Sequence, residues 1–205
     1  MNRTWAGVAL LVVSTATFGQ VPSEKQAPAT PSLYERVGAK LAGDPALARR
    51  LAEQPKQLDA VAWWIGSWEV TAHVFATKTT PERTDHGQEQ VERLLGGSWL
   101  SFRDTYPTGT QDLGFVTFDA VQGVWRAVHL DSTGTTVIAI SKGWENGKLV
   151  FLTRDAVILG EKVELRQTVE KRSDDEYRLL NEERLASGTW LALDEYLYKR
   201  KRPNG

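Results

Sequence analysis

From about residue 66 onward, apolar and polar side chains alternate with a period of two, and turn residues interrupt the alternation roughly every ten positions. This is the pattern of an antiparallel meander, in which each strand turns one face to a core and the other to water. It predicts strands over 68–75, 88–95, 99–106, 113–118, 124–131, 135–144, 148–153, 162–171, 176–185 and 190–200. In the first of these, Trp68, Val70, Ala72 and Val74 share the core face, which leaves His73 on the water side. Gly96-Gly97 marks a tight reversal, and Asn146-Gly147 between alternating runs is a strong hairpin signal. About ten antiparallel strands without intervening helices escape exposed edges by closing on themselves, so the expected fold is all-β, an antiparallel up-and-down β-barrel.

Ahead of the strands the period changes. Residues 33–41 and 44–53 read as short helices, the second opening with Asp44 as N-cap and Pro45 at its first position. A third short helix over 55–64 carries Leu58, Val61 and Ala62 at helical spacing and runs into Trp63-Trp64-Ile65-Gly66-Ser67-Trp68. A glycine there allows a sharp bend, and the tryptophan after it supplies a large plug for one end of the barrel. The expected layout is a signal peptide over 1–19, a flexible linker over 20–32, a helical segment over 33–64 capping the barrel, and the barrel domain over 65–202.

Composition narrows the partners. A net charge of −1 over 205 residues provides no field for nucleic acid or an anionic membrane, so neither is expected as a partner. The basic run 199–202 reads as solvated end-matter. Without cysteine there are no disulfides, thiolate metal sites or cysteine nucleophiles, and the three histidines lie too far apart for a metal pair. No metal and no cofactor is expected. Met1-Asn2-Arg3, the apolar run 5–13 and the small residues 14–19 form a secretory signal, so the chain is expected to be periplasmic or secreted after cleavage. That apolar run is too short for a comfortable membrane span, and no stable membrane insertion is expected.

The Gly66-Ser67-Trp68 junction resembles the Gly-x-Trp opening of lipocalins, a resemblance that implies a basic residue from near the last strand over the tryptophan, here Arg200. More of the chain, 65–200, resembles a bacterial family of uncharacterised lipocalin-like domains. The matching pieces are Leu95-Gly96-Gly97-Ser98-Trp99-Leu100, Gly114-Phe115-Val116-Thr117-Phe118-Asp119, Leu130-Asp131-Ser132-Thr133-Gly134, Leu165-Arg166, and Ser187-Gly188-Thr189-Trp190 followed by Glu195 and Tyr198. The resemblance implies a calycin-type, lipocalin-like barrel and brings no established activity.

Candidate site residues must share an interior face. On 124–131, Trp125, Ala127, His129 and Asp131 are in phase, but both faces of that strand carry apolar residues, so alternation leaves the inward one open. On 99–106, Trp99, Ser101, Arg103 and Thr105 share a face, and Arg103 suits a ligand carboxylate. Arg166 is placed outside by alternation, while its match to the family motif raises it as an anchor. The reading is a binding barrel for a small, largely apolar or aromatic molecule, with Trp99 and Trp125 as walls and Arg103, His129, Asp131 and Arg166 as polar anchors. Two alternatives stand beside it: a barrel isomerase or cyclase using His129 as acid/base with Asp131 orienting it, and a non-catalytic envelope interaction scaffold. The serines lie in no nucleophile motif.

Overall fold

The structure is a computed structural model that describes residues 30–53, 55–109, 111–153, 156–158 and 160–202. The signal peptide expected over 1–19 and most of the linker expected over 20–32 lie outside the described residues. Two compact units are distinguished, residues 1–40 and 41–205. Helix α1, Leu33–Gly43, opens on a reciprocal cap in which the Ser32 backbone N–H donates to Glu35 Oε2 at 2.6 Å and the Glu35 N–H to Ser32 Oγ at 3.3 Å. Helix α2, Pro45–Ala52, has Asp44 as N-cap, its Oδ1 accepting from the Leu47 N–H at 2.9 Å, with Pro45 where its missing N–H costs nothing. The segment Lys56–Trp64 is a 3-10 helix, irregular at Val61, that buries Leu58, Val61 and Trp64.

Thirteen strands follow: β1 Gly66–Val74, β2 Arg83–Leu94, β3 Trp99–Thr105, β4 Gln111–Asp119, β5 Val124–Asp131, β6 Thr136–Ser141, β7 Trp144–Glu145, β8 Lys148–Thr153, β9 Ala156–Ile158, β10 Glu161–Val163, β11 Leu165–Lys171, β12 Glu176–Arg184 and β13 Trp190–Arg200. Ten of them make a closed antiparallel barrel in the order β11-β12-β13-β1-β2-β3-β4-β5-β6-β8, with β8 pairing back to β11. Closure leaves the barrel strands with a neighbour on either side. The other three are short: β7 forms a hairpin with β8 through Asn146 and Gly147, both at positive φ, and β9 pairs with β10.

Three strands depart from the alternation by more than two residues or by a break, each for a local reason. The run 135–144 breaks after Ser141, where Gly143 sits at φ +127°. The run 162–171 divides, because 161–163 folds back on β9 while Leu165–Lys171 joins the barrel between β12 and β8. Strand β2 begins at Arg83 rather than 88, since its polar first half pairs with Val74 through Val70 of β1.

One end of the barrel is packed solid around Trp68, which is fully buried. Its indole N–H donates to the Trp64 carbonyl at 2.8 Å, and the Tyr177 ring meets it edge-on at 4.9 Å. Leu58, Val61, Val91, Leu100, Trp125, Leu149 and Val169 complete this core. Arg200, at the end of β13, lies 4.2 Å over the Trp68 ring and donates to the carbonyls of Ile65 at 3.0 Å and Trp63 at 2.5 Å, as the Gly-x-Trp resemblance implies. Gly66 has no substitute at this corner: its φ is +136°, and a Cβ would stand 2.6 Å from Arg200 Nη1. A Gly66→Ala change is expected to destabilise the chain by about 1–3 kcal/mol through backbone strain and displacement of the guanidinium. Urea unfolding reads this directly, and an unmoved midpoint would mean that Arg200 is not clamped over the corner.

Candidate functional site

Away from the packed end the barrel holds a cavity of about 300 Å³. Its walls follow from strand alternation. Leu100 is fully buried in the core, so Phe102 and Asp104 beyond it on β3 also face inward. By the same rule Glu89 follows Val91 on β2, and Asp112 and Gly114 follow Val116 on β4. Inward Trp125 and Ala127 carry His129 and Asp131 to the cavity on β5. Trp64, Phe102, Val116, Phe151, Val169 and Leu179 make the apolar surface.

Strand register joins the polar groups into two rows. Glu89 of β2 is paired with Asp104 of β3, Asp104 with Asp112 of β4, and Asp112 with Asp131 of β5, so four carboxylates lie side by side along the inner wall. The second row crosses β13, β12 and β11: Asn181 Nδ2 donates to Asp194 Oδ1 at 2.7 Å, and Gln167 Nε2 donates to Asn181 Oδ1 at 3.3 Å. Gln167 also lies beside His129 in the cavity wall, which connects this row to β5.

The electrostatics follow from burial. Glu89 is 4% exposed and accepts a hydrogen bond from the Tyr177 hydroxyl. Burial first, and then the neighbouring Asp104 charge, hold its carboxyl well above the usual range against that hydrogen bond. Burial and then Asp112 push the Asp104 carboxyl up to about 7. Burial lowers the His129 pKa, with Gln167 working the other way, so the ring is neutral at pH 7. Among the described residues, the buried side-chain atoms without a hydrogen-bond partner are Trp64 Nε1, Asp104 Oδ1 and His129 Nε2, and all three residues line this one cavity.

The residues expected from the sequence separate into two groups. His129 and Asp131 line the cavity, but they do not form an acid/base pair: Asp131 Oδ1 accepts from the N–H groups of Thr133 at 2.8 Å and Thr135 at 3.0 Å and from the Thr133 hydroxyl at 2.5 Å, holding the turn after β5. Those hydrogen bonds lower the Asp131 pKa, the Thr133 side chain contributing most. Trp125 points inward yet belongs to the packed core, 5.6 Å from Phe118, instead of the cavity wall. Trp99 and Arg103 lie on the outer face of β3, since Leu100, Phe102 and Asp104 take the inner one, and Arg103 is exposed. Arg166 is also outside, gripping Glu182 through two 2.7 Å hydrogen bonds and lying 4.3 Å over Trp190.

Glu89, Asp104, Asp112, Gln167, Asn181 and Asp194 escaped the sequence reading. The first two had a signal, their phase with Val91 and with Leu100 and Phe102. Among the described residues there is no group of three or more side chains placed to hold a metal ion, and no helix is long and apolar enough to cross a membrane.

Comparison with known proteins gives one family and a fold. The family model described as a protein of unknown function, DUF1579, matches residues 56–200. No curated protein matches the chain. Among solved structures, Rv2717c from M. tuberculosis is similar over 73% of this chain and 100% of its own, at 13% identity and a TM-score of 0.56, which is a likeness of fold. A protein of unknown function from the DUF3598 family of Nostoc punctiforme covers 69% of this chain and 49% of its own, at 11% identity and a TM-score of 0.44.

Proposed function

The chain belongs to the DUF1579 family of proteins of unknown function, and from that premise we propose that it is a binding barrel, holding one small, largely apolar or aromatic molecule inside the strands. One observation carries the reading: among the described residues, the three with unpartnered buried polar atoms all line the same cavity. Buried polar groups need partners, and a molecule held in the cavity would be placed to supply them. The Gly66-Ser67-Trp68 corner under Arg200 supports placing the barrel with the lipocalin-like proteins. Export to the periplasm or beyond is part of the proposal and rests on the charged start, apolar run and small residues of 1–19.

Binding is favoured over acid/base catalysis because the Asp131 carboxylate is occupied by its own turn instead of orienting His129. The test is native mass spectrometry on the full chain purified from its own host, followed by denaturation and identification of what is released, with titration of the neutral dye Nile red alongside. A stoichiometric small molecule, or one-to-one dye uptake, is expected. Val137→Trp, which brings an indole into the cavity from β6, is expected to weaken dye uptake at least about tenfold. A chain that is empty from its host and takes up no dye would overturn the proposal.

A further inference from the structure

We propose that the cavity takes a protonated amine carried on a small aromatic or apolar body, with the ammonium on Asp104 within the acidic row and the body against Phe102, Trp64 and Phe151. This deepens the binding reading and rests on it.

The argument begins with charge. Among the described residues, five carboxylates line the cavity, those of Glu89, Asp104, Asp112, Asp131 and Asp194, and no lysine or arginine does. Arginines of the same strands lie outside and are paired there: Arg126 with Asp119 at 3.0 Å, Arg166 with Glu182 at 2.7 Å, and Arg178 with Glu170 and Glu195. Arg83, in phase with Glu89 on β2, is already paired with Asp85 at 2.9 Å, although its charge also reaches Asp194, so acids outnumber cations around the cavity. Like charges at directly opposed strand positions oppose folding. Three such pairings occur in succession, Glu89 with Asp104, Asp104 with Asp112, and Asp112 with Asp131. An anionic ligand would add to that repulsion, whereas a cation reverses it.

A second observation, independent of the acidic row, indicates an organic occupant. Trp64 is 2% exposed and its indole N–H has no acceptor, and His129 Nε2 is also buried without a partner. Both belong to walls of the cavity. Within the acidic row itself, Asp104 Oδ1 lacks a donor. An ammonium supplies up to three donors to the carboxylate in a charge-assisted contact. A polar atom on the ligand body can meet the indole or the imidazole. A divalent cation fits less well, because no set of three or more metal-ligating groups is assembled among the described residues. At about 300 Å³ the space suits a small molecule.

The experiment compares three probes that share one ring and differ in charge: tryptamine, tryptophol and indole-3-acetate, titrated calorimetrically into the full chain at pH 8, each also competed against Nile red. Tryptamine is expected to bind at least tenfold more tightly than tryptophol, and indole-3-acetate more weakly still. In Asp104→Asn, which is isosteric and removes the charge, the tryptamine-to-tryptophol ratio is expected to fall towards one. Tryptophol or indole-3-acetate binding as tightly as tryptamine would overturn the amine assignment, as would an undiminished ratio in the variant. Nile red uptake that none of the three probes competes with would overturn it too, while leaving the binding barrel standing. No dye uptake together with an empty chain from the host would remove both.

Discussion

Replacing Trp68 with alanine is expected to destabilise the chain by about 3–5 kcal/mol, the range for deleting a buried aromatic from a packed core. The indole is fully buried, and its removal takes away three dependent contacts. The Trp64 carbonyl loses its donor at 2.8 Å, Tyr177 loses the ring it meets edge-on at 4.9 Å, and Arg200 loses the face it covers at 4.2 Å. The Arg200 guanidinium joins the start of β1 to the end of β13 and is held by carbonyls on one side and the ring on the other. Urea denaturation followed by far-ultraviolet circular dichroism measures the change, and Trp68→Phe should fall between alanine and the native residue. A Trp68→Ala cost below about 1 kcal/mol would show that the barrel end is not built on this side chain.

The opposite sign is expected at Asp104: Asp104→Asn should stabilise the ligand-free chain at pH 8 by about 2 kcal/mol. Its carboxyl has a folded-state pKa of about 7 against an ordinary value of 3.8. Folding therefore takes up a proton between those values. The favourable contribution is fully present below about pH 4 and is lost as pH rises through about 7, where the buried group must ionise. Asp112, facing Asp104 from β4, reinforces this direction, while Glu89 and the neutral hydroxyls of Tyr106, Tyr177, Tyr196 and Tyr198 stand around the same cavity. The native chain should lose stability from pH 5 to pH 8, and the amide variant should lose less. A pH profile identical in the two proteins would contradict this account of the interior.

The fold was more legible than the site. Period-two alternation placed Trp68, Val70 and Ala72 inside, set 124–131 and 190–200 at their observed bounds, and produced the closed count of ten. Asn146-Gly147 gave the β7–β8 hairpin because positive φ at both positions is a local property. The site depends on pairing across strands, which alternation does not encode. On β3, Trp99 and Arg103 have the bulk and charge expected of ligand contacts, yet the smaller Leu100, Phe102 and Asp104 face inward because the register with Val91 and Val116 joins them to the core. Likewise, no single strand reveals that Glu89, Asp104, Asp112 and Asp131 lie abreast. That row exists only when four separate runs are aligned.

The seam between β1 and β13 bears on how the barrel is made. Ile65 and Arg200, joined by a 3.0 Å hydrogen bond, are 135 residues apart in the chain. Joining so distant a pair requires a large loss of chain entropy before the contact returns anything, which places the barrel among slow-folding topologies. A chain emerging from the ribosome can form the β1–β2 and β2–β3 hairpins early, but its first strand stays an open edge until the last strand has been synthesised. Arg200 then acts as a latch that engages once β13 has been made. A truncation removing β13 should leave a sheet with two sticky margins, prone to pairing with other copies.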